Sequence, residues 1–68
     1  MPDHVYKTIE ITGSSTEDLT DAIRRAVDKA AETVRNIDWF EVTSIRGQVE
    51  DGSIAYFQVT TKIGFRLE

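Results

Sequence analysis

Few residues in this chain are equipped for chemistry, and those few suit binding. Trp39, in the run NIDWF, is the one tryptophan. Its flat π face suits stacking against a planar ligand, and it suits the packing of a subunit interface equally well. Gln58 carries both a donor and an acceptor, which match the edge of a heterocycle or serve an ordinary interface. Arg46, in IRG, has the fork that grips phosphate bidentately, although an arginine at a strand end is also a common surface charge. Lys7 and Arg66 interrupt otherwise ordered strands and offer a second anion patch.

The groups needed for catalysis are missing. There is no cysteine, and His4 is the single histidine, close to the start. No nucleophile, base and orienting group can be assembled from this set. The twelve carboxylates fall mainly on helix and turn surfaces, with no isolated pair. Neither a dinucleotide fingerprint nor a phosphate-cradling loop occurs, and TGSS at 12–15 reads as a helix cap. The expectation is a binding protein and not an enzyme.

Sixty-eight residues make one domain, 1–68. Chains of this size bury only about 60% of their unfolded surface and usually need a staple. Without cysteines, association between chains is the remaining staple. The net charge of −4 disfavours nucleic acid. No apolar run approaches the ~20 residues of a membrane span, and the start has no signal-like apolar segment. A soluble cytoplasmic protein is expected.

Positioning these residues takes four elements. Residues 5–12, VYKTIEIT, alternate as a strand, with Val5, Ile9 and Ile11 on one face and Tyr6, Thr8, Glu10 and Thr12 on the other. GSS at 13–15 should end it, with Ser14 and Glu17 forming a capping box. Leu19, Ala22, Ile23, Ala26, Val27, Ala30 and Val34 then give a helix over roughly 16–35, which Asn36 stops. Its outer face carries the ion pairs Asp21–Arg25 and Arg24–Asp28. Two further strands meet at Asp51-Gly52, a strong hairpin signal. The predicted fold is α+β, in the order β-α-β-β. Its three-stranded antiparallel sheet is ordered 1-3-2, with the helix packed on one face.

An unbroken hairpin register sets Glu50 opposite Ser53 and Trp39 opposite Gly64, and a bulge near IRG would shift it. Phe40 and Val42 then join Phe57, Val59 and Ile63 beneath the helix. Trp39, Glu41, Thr43, Ile45 and Val49 occupy the open face, with Ile54 and Tyr56, and Gln58 opposes Ile45. So much apolar surface on the open face argues for burial between chains. Gln58 lies six residues along the strand from Gly64, about 20 Å. One small ligand touching both Trp39 and Gln58 must therefore bridge two subunits.

DWFEV at 38–42, IRG at 45–47, FQV at 57–59 and KIGFRLE at 62–68 together resemble the dodecins, and the likeness spans essentially the whole chain. The resemblance implies a hollow homododecamer that stores or sequesters flavin. It implies that Trp39 stacks on the isoalloxazine ring in pairs about a twofold axis, with quenching and protection of the flavin. Gln58 is then the residue that bonds the ring edge. Arg46 is a bacterial-type feature that points to FMN over riboflavin or another flavin. Asp38 lines the pocket, and Arg66 is a further phosphate contact. Tyr6, Lys7, Lys29 and Thr33 match a coenzyme A site of some bacterial members. The alternatives to storage are a structural shell that binds coenzyme A or flavin, and a flavoenzyme of unknown substrate.

Overall fold

Asp51 and Gly52 both adopt positive φ, 53° and 77°, as a two-residue type I′ turn requires. They join strands β2 (Ile37–Glu50) and β3 (Ser53–Leu67). Strand β1 (Val5–Ser15) and helix α1 (Leu19–Ala31) precede them. The computed structural model describes residues 3–67, so Met1, Pro2 and Glu68, the last residue of KIGFRLE, lie outside the described residues. The sheet is ordered β1-β3-β2, and β3 is antiparallel to both neighbours. This is the expected α+β architecture.

The helix reaches the sheet through small residues. Ala22, Ala26 and Ala30 are all buried, over Val59 and Ile63 of β3. A Cβ on Gly13 would collide with the Ala22 carbonyl and crowd Ala26, so glycine sets how closely α1 approaches β1.

Two boundaries differ from the expectation. GSS does not break the first strand, because β3 is long enough to pair Gly13, Ser14 and Ser15 with Val59, Gln58 and Phe57. The capping box gives way to a different clip. Asp18 is the N-cap, and its Oδ1 accepts from the Asp21 amide at 2.7 Å. Ser15 Oγ accepts from the Glu17 amide at 2.9 Å and donates to Asp21 Oδ2 at 2.6 Å. The helix therefore spans 19–31 and not 16–35. Asn36, at φ 63°, makes the left-handed reversal into β2.

The β2–β3 register is interrupted three times, and this corrects the unbroken pairing. Trp39–Gly64 through Val42–Thr61 pair as expected. Thr43 is then an extra residue, so Ser44 meets Thr60, Ile45 meets Val59 and Arg46 meets Gln58. The register returns where Gln48–Tyr56 is followed by Val49–Ile54, with Ala55 left over in β3. Asp38 is a third extra residue, between Ile37–Phe65 and Trp39–Gly64. Each bulge moves the following side chains to the other face. Ile45, Val49 and Ile54 accordingly leave the open face and line one hollow with Leu19 and Phe57 on the helix side.

The helix packs on β1 and β3 and leaves β2 uncovered. Phe40 does face the helix side, where it lines a hollow with Ile23 and Val27, but it remains 51% exposed. Ile45, Val49 and Ile54 are exposed too. The unsatisfied apolar surface thus lies on the helix side of β2 and the hairpin, not around Trp39. The chain measures 53 × 20 × 15 Å with a radius of gyration of 14.2 Å, against about 11 Å for a compact domain of this length.

Thr61 is fully buried, and its Oγ1 has no hydrogen-bond partner among the described residues. Thr61→Val removes this hydroxyl at constant shape and is expected to raise stability by about 1 kcal/mol, read as a higher thermal midpoint. A second expectation concerns acid. The hydrogen bond from Ser15, then that from Arg25, holds the Asp21 carboxyl below its ordinary pKa. A depressed carboxyl stabilises the fold above its unfolded pKa, and that stability is lost as pH falls through the folded value. Circular dichroism below about pH 4 should show Asp21→Asn losing less stability on acidification than the unaltered chain.

Candidate functional site

The open face of the sheet can be built row by row from the pairings. Tyr6 faces Arg66, Thr8 faces Gly64 and Trp39, Glu10 faces Lys62 and Glu41, and Ser14 faces Gln58 and Arg46. Trp39 and Arg66 therefore lie at one end, about 7 Å apart along β3, while Gln58 and Arg46 lie together about 20 Å away.

At the first end, the Trp39 indole packs directly against Gly64. A Cβ at residue 64 would fall among Cε2, Cζ2 and Cδ2 of the ring. Gly64 is buried, and the tryptophan's own ring fills the space above it. Trp39 stays 38% exposed, so part of the ring is seated on the sheet and part is open to a partner. The glycine supplies the seat and fixes the height at which that open part is presented. Asp38, the bulged residue beside it, is exposed. Arg66 pairs with the chain at its base, its amide donating to the Asn36 carbonyl at 3.1 Å.

At the second end, Gln58 Nε2 donates to Ser14 Oγ at 3.4 Å. The Thr43 bulge sets Arg46 beside Gln58 on the same row, a juxtaposition the unbroken register had assigned to Ile45. Ser14 was missed from sequence, and the bulge expected near IRG falls at Thr43. A longer first strand would have revealed Ser14. Thr43 carries no composition signal, although its hydroxyl bonds the Thr60 carbonyl at 3.2 Å.

The four residues matched to a coenzyme A site come from the start of β1 and from the C-terminal end of the helix. Tyr6 faces Arg66 on the open side, Lys7 pairs with Phe65 on the other face, and Lys29 and Thr33 sit at the far end of the helix. Lys29 is engaged with Glu32 at 3.5 Å. Among the described residues, no group of three or more His, Cys, Asp or Glu is placed to hold a metal ion. No helix among the described residues is long and apolar enough to cross a membrane.

An intact seat for Trp39 depends on residue 64 having no side chain. Gly64→Val should push the indole off the sheet, seen as a shifted tryptophan emission maximum and increased quenching by acrylamide.

The family model described as Dodecin matches residues 5–68. A protein named Dodecin from Thermus thermophilus is 45% identical over 64 residues, which cover 94% of this chain and 93% of that protein. Among solved structures, the dodecin of Streptomyces coelicolor superposes with a TM-score of 0.93 at 50% identity, covering 100% of this chain and 97% of its own. That of Streptomyces davaonensis gives 0.92 at 48% identity, covering 98% of each.

Proposed function

The chain belongs to the dodecin family, and from that premise we propose that it sequesters FMN, stacked against Trp39 between subunits of a homododecameric shell. The observation that carries this reading is the Trp39 indole seated on Gly64 with part of its ring exposed. A seat of backbone cannot be improved by packing, so the exposed part of the ring is available for a planar partner. Offset stacking of aromatic rings contributes roughly 0.5–1.5 kcal/mol beyond area burial, and a larger ring system buries more surface.

The separation of the two ends supports an intersubunit ligand. Gln58 and Arg46 lie on a row about 20 Å from Trp39, beyond the reach of one isoalloxazine ring held by a single chain. A neighbouring chain brings its Gln58 to the ring edge, where the amide supplies one donor and one acceptor. Arg46, two-pronged and beside that amide, takes the phosphate and distinguishes FMN from riboflavin. Arg66, close to Trp39, is the second phosphate contact, and Asp38 borders the ring. The bound flavin supplies the redox and photochemistry. The protein excludes water and holds the ring against an electron-rich indole, which favours storage and protection over turnover. Assembly follows from the exposed apolar surface of Phe40, Ile45, Val49 and Ile54, too large for a comfortable monomer. A cytoplasmic location fits this use. Coenzyme A is a second candidate ligand, with Tyr6, Lys7, Lys29 and Thr33 as its contacts.

Adding FMN to purified apo-protein is expected to quench flavin fluorescence strongly. Trp39→Ala should weaken binding tenfold or more, given roughly 1–3 kcal/mol per stacked base. Absence of binding at micromolar protein would refute the reading. Arg46→Ala should cost FMN about tenfold, as for a hydrogen bond to a charged group, and leave riboflavin nearly unchanged. Size-exclusion with light scattering should give a particle far heavier than a dimer.

A further inference from the structure

The tip of the β2–β3 hairpin carries a carboxyl that neither the core nor the ring site uses. Asp51 is the only aspartate in the chain that precedes a glycine. Both residues are exposed, and a Cβ on Gly52 would meet nothing within 4 Å. Sheet pairing ends at Glu50–Ser53, so the Gly52 amide stands outside the ladder. Among the described residues, no side-chain hydrogen bond or ion pair involves Glu50, Asp51 or Ser53.

An aspartyl carboxyl beside an unshielded amide can close on it. The Gly52 nitrogen attacks Cγ of Asp51 and gives up its proton, and the carboxyl hydroxyl leaves as water. The product is a succinimide ring. Water then opens the ring at either carbonyl. Opening at the side-chain carbonyl restores aspartate. Opening at the main-chain carbonyl leaves isoaspartate, with the chain running through Cγ. One water is lost and one regained, so no oxidant or co-reactant is needed. A side chain on the following residue crowds the closing ring, and glycine has none.

The other aspartates are held back. Asp18 Oδ1 accepts from the Asp21 amide at 2.7 Å. Asp21 Oδ2 accepts from Ser15 and Arg25. Asp28 lies inside α1. Asp38 precedes the bulky Trp39, and Asp3 precedes His4. Ring closure requires the main chain at Asp51 to rotate out of its turn. Asp51 sits at φ 53°, a left-handed conformation that costs any residue with a side chain. An exposed turn also opens far more readily than the core.

We propose that Asp51 is a site of spontaneous isoaspartate formation, and that the conversion loosens assembly. Isoaspartate adds a methylene to the main chain of a turn whose two residues both hold positive φ. The lengthened turn no longer fits the two-residue geometry that sets Glu50 opposite Ser53. The next pair, Val49–Ile54, belongs to the apolar surface that calls for neighbouring chains. The effect on assembly rests on that reading of the surface, and the chemistry at Asp51 does not.

The test ages the purified, assembled protein for several weeks in warm neutral buffer. Peptide mapping with an isoaspartyl methyltransferase as the probe should find isoaspartate at residue 51 several-fold above that at any other aspartate. Size-exclusion with light scattering should show a growing share of small species. Asp51→Gly keeps a turn that favours positive φ and removes the carboxyl, and should stay assembled over the same period. No isoaspartate at residue 51, or no more there than at Asp18 or Asp38, would overturn the modification site. Accumulation at residue 51 without loss of the large particle would overturn the effect on assembly and leave the modification site standing. A protein that never forms a large particle would overturn the assembly reading, while the mapping still decides the chemistry.

Discussion

The seating of one aromatic ring on one glycine governs the candidate site. With Gly64 beneath it, the Trp39 indole packs down on the sheet and keeps part of its surface exposed. Any side chain at residue 64 would lift the ring and change the height and angle at which a partner meets it. The contact also explains why the tryptophan is on the open side at all. The helix side of the same strand is reserved for Phe40 and Val42, which pair with Ile63 and Thr61 over the core.

The second constraint is the pair of bulges that shifts residues 44–48 of β2 by one position against β3. A strand without them would show Ile45 beside Gln58 and turn Arg46 toward the helix. With them, one row of the open face carries Ser14, Gln58 and Arg46, two polar groups flanking a third. The same shift sends Ile45, Val49 and Ile54 to the helix side, where only the first residue of α1, Leu19, borders them and they remain exposed. One backbone device therefore gathers the polar row and leaves the apolar surface that calls for neighbouring chains. Bulges beside binding sites commonly re-aim side chains in this way.

Much of this was legible in the sequence. Period-two alternation in 54–67, the Asp51-Gly52 turn and the helical spacing of the alanines gave the element order and the sheet order. The opposition of Trp39 to Gly64 followed from counting back from the turn, because the two bulges between them cancel. The middle of the hairpin was not legible for the same reason. Thr43 and Ala55 look like ordinary strand residues, and an extra residue leaves no mark on composition. The clip of Ser15, Asp18 and Asp21 was hidden because TGSS suits a helix start and a strand end equally. The seat beneath Trp39 needed coordinates, since a glycine opposite a large ring reads from sequence as empty space.

The central claim is that one ligand is held by Trp39 of one chain and Gln58 of another. Complementation tests it most directly. Trp39→Ala and Gln58→Ala chains, each impaired alone, are unfolded together, reassembled as mixed particles and titrated with FMN. Mixed particles contain sites in which an intact tryptophan from one chain meets an intact glutamine from its neighbour, so quenching should recover beyond that of the two variants assembled separately. Recovery no greater than the average of the separate variants would mean that both residues act from the same chain, or on different ligands, and would contradict the account.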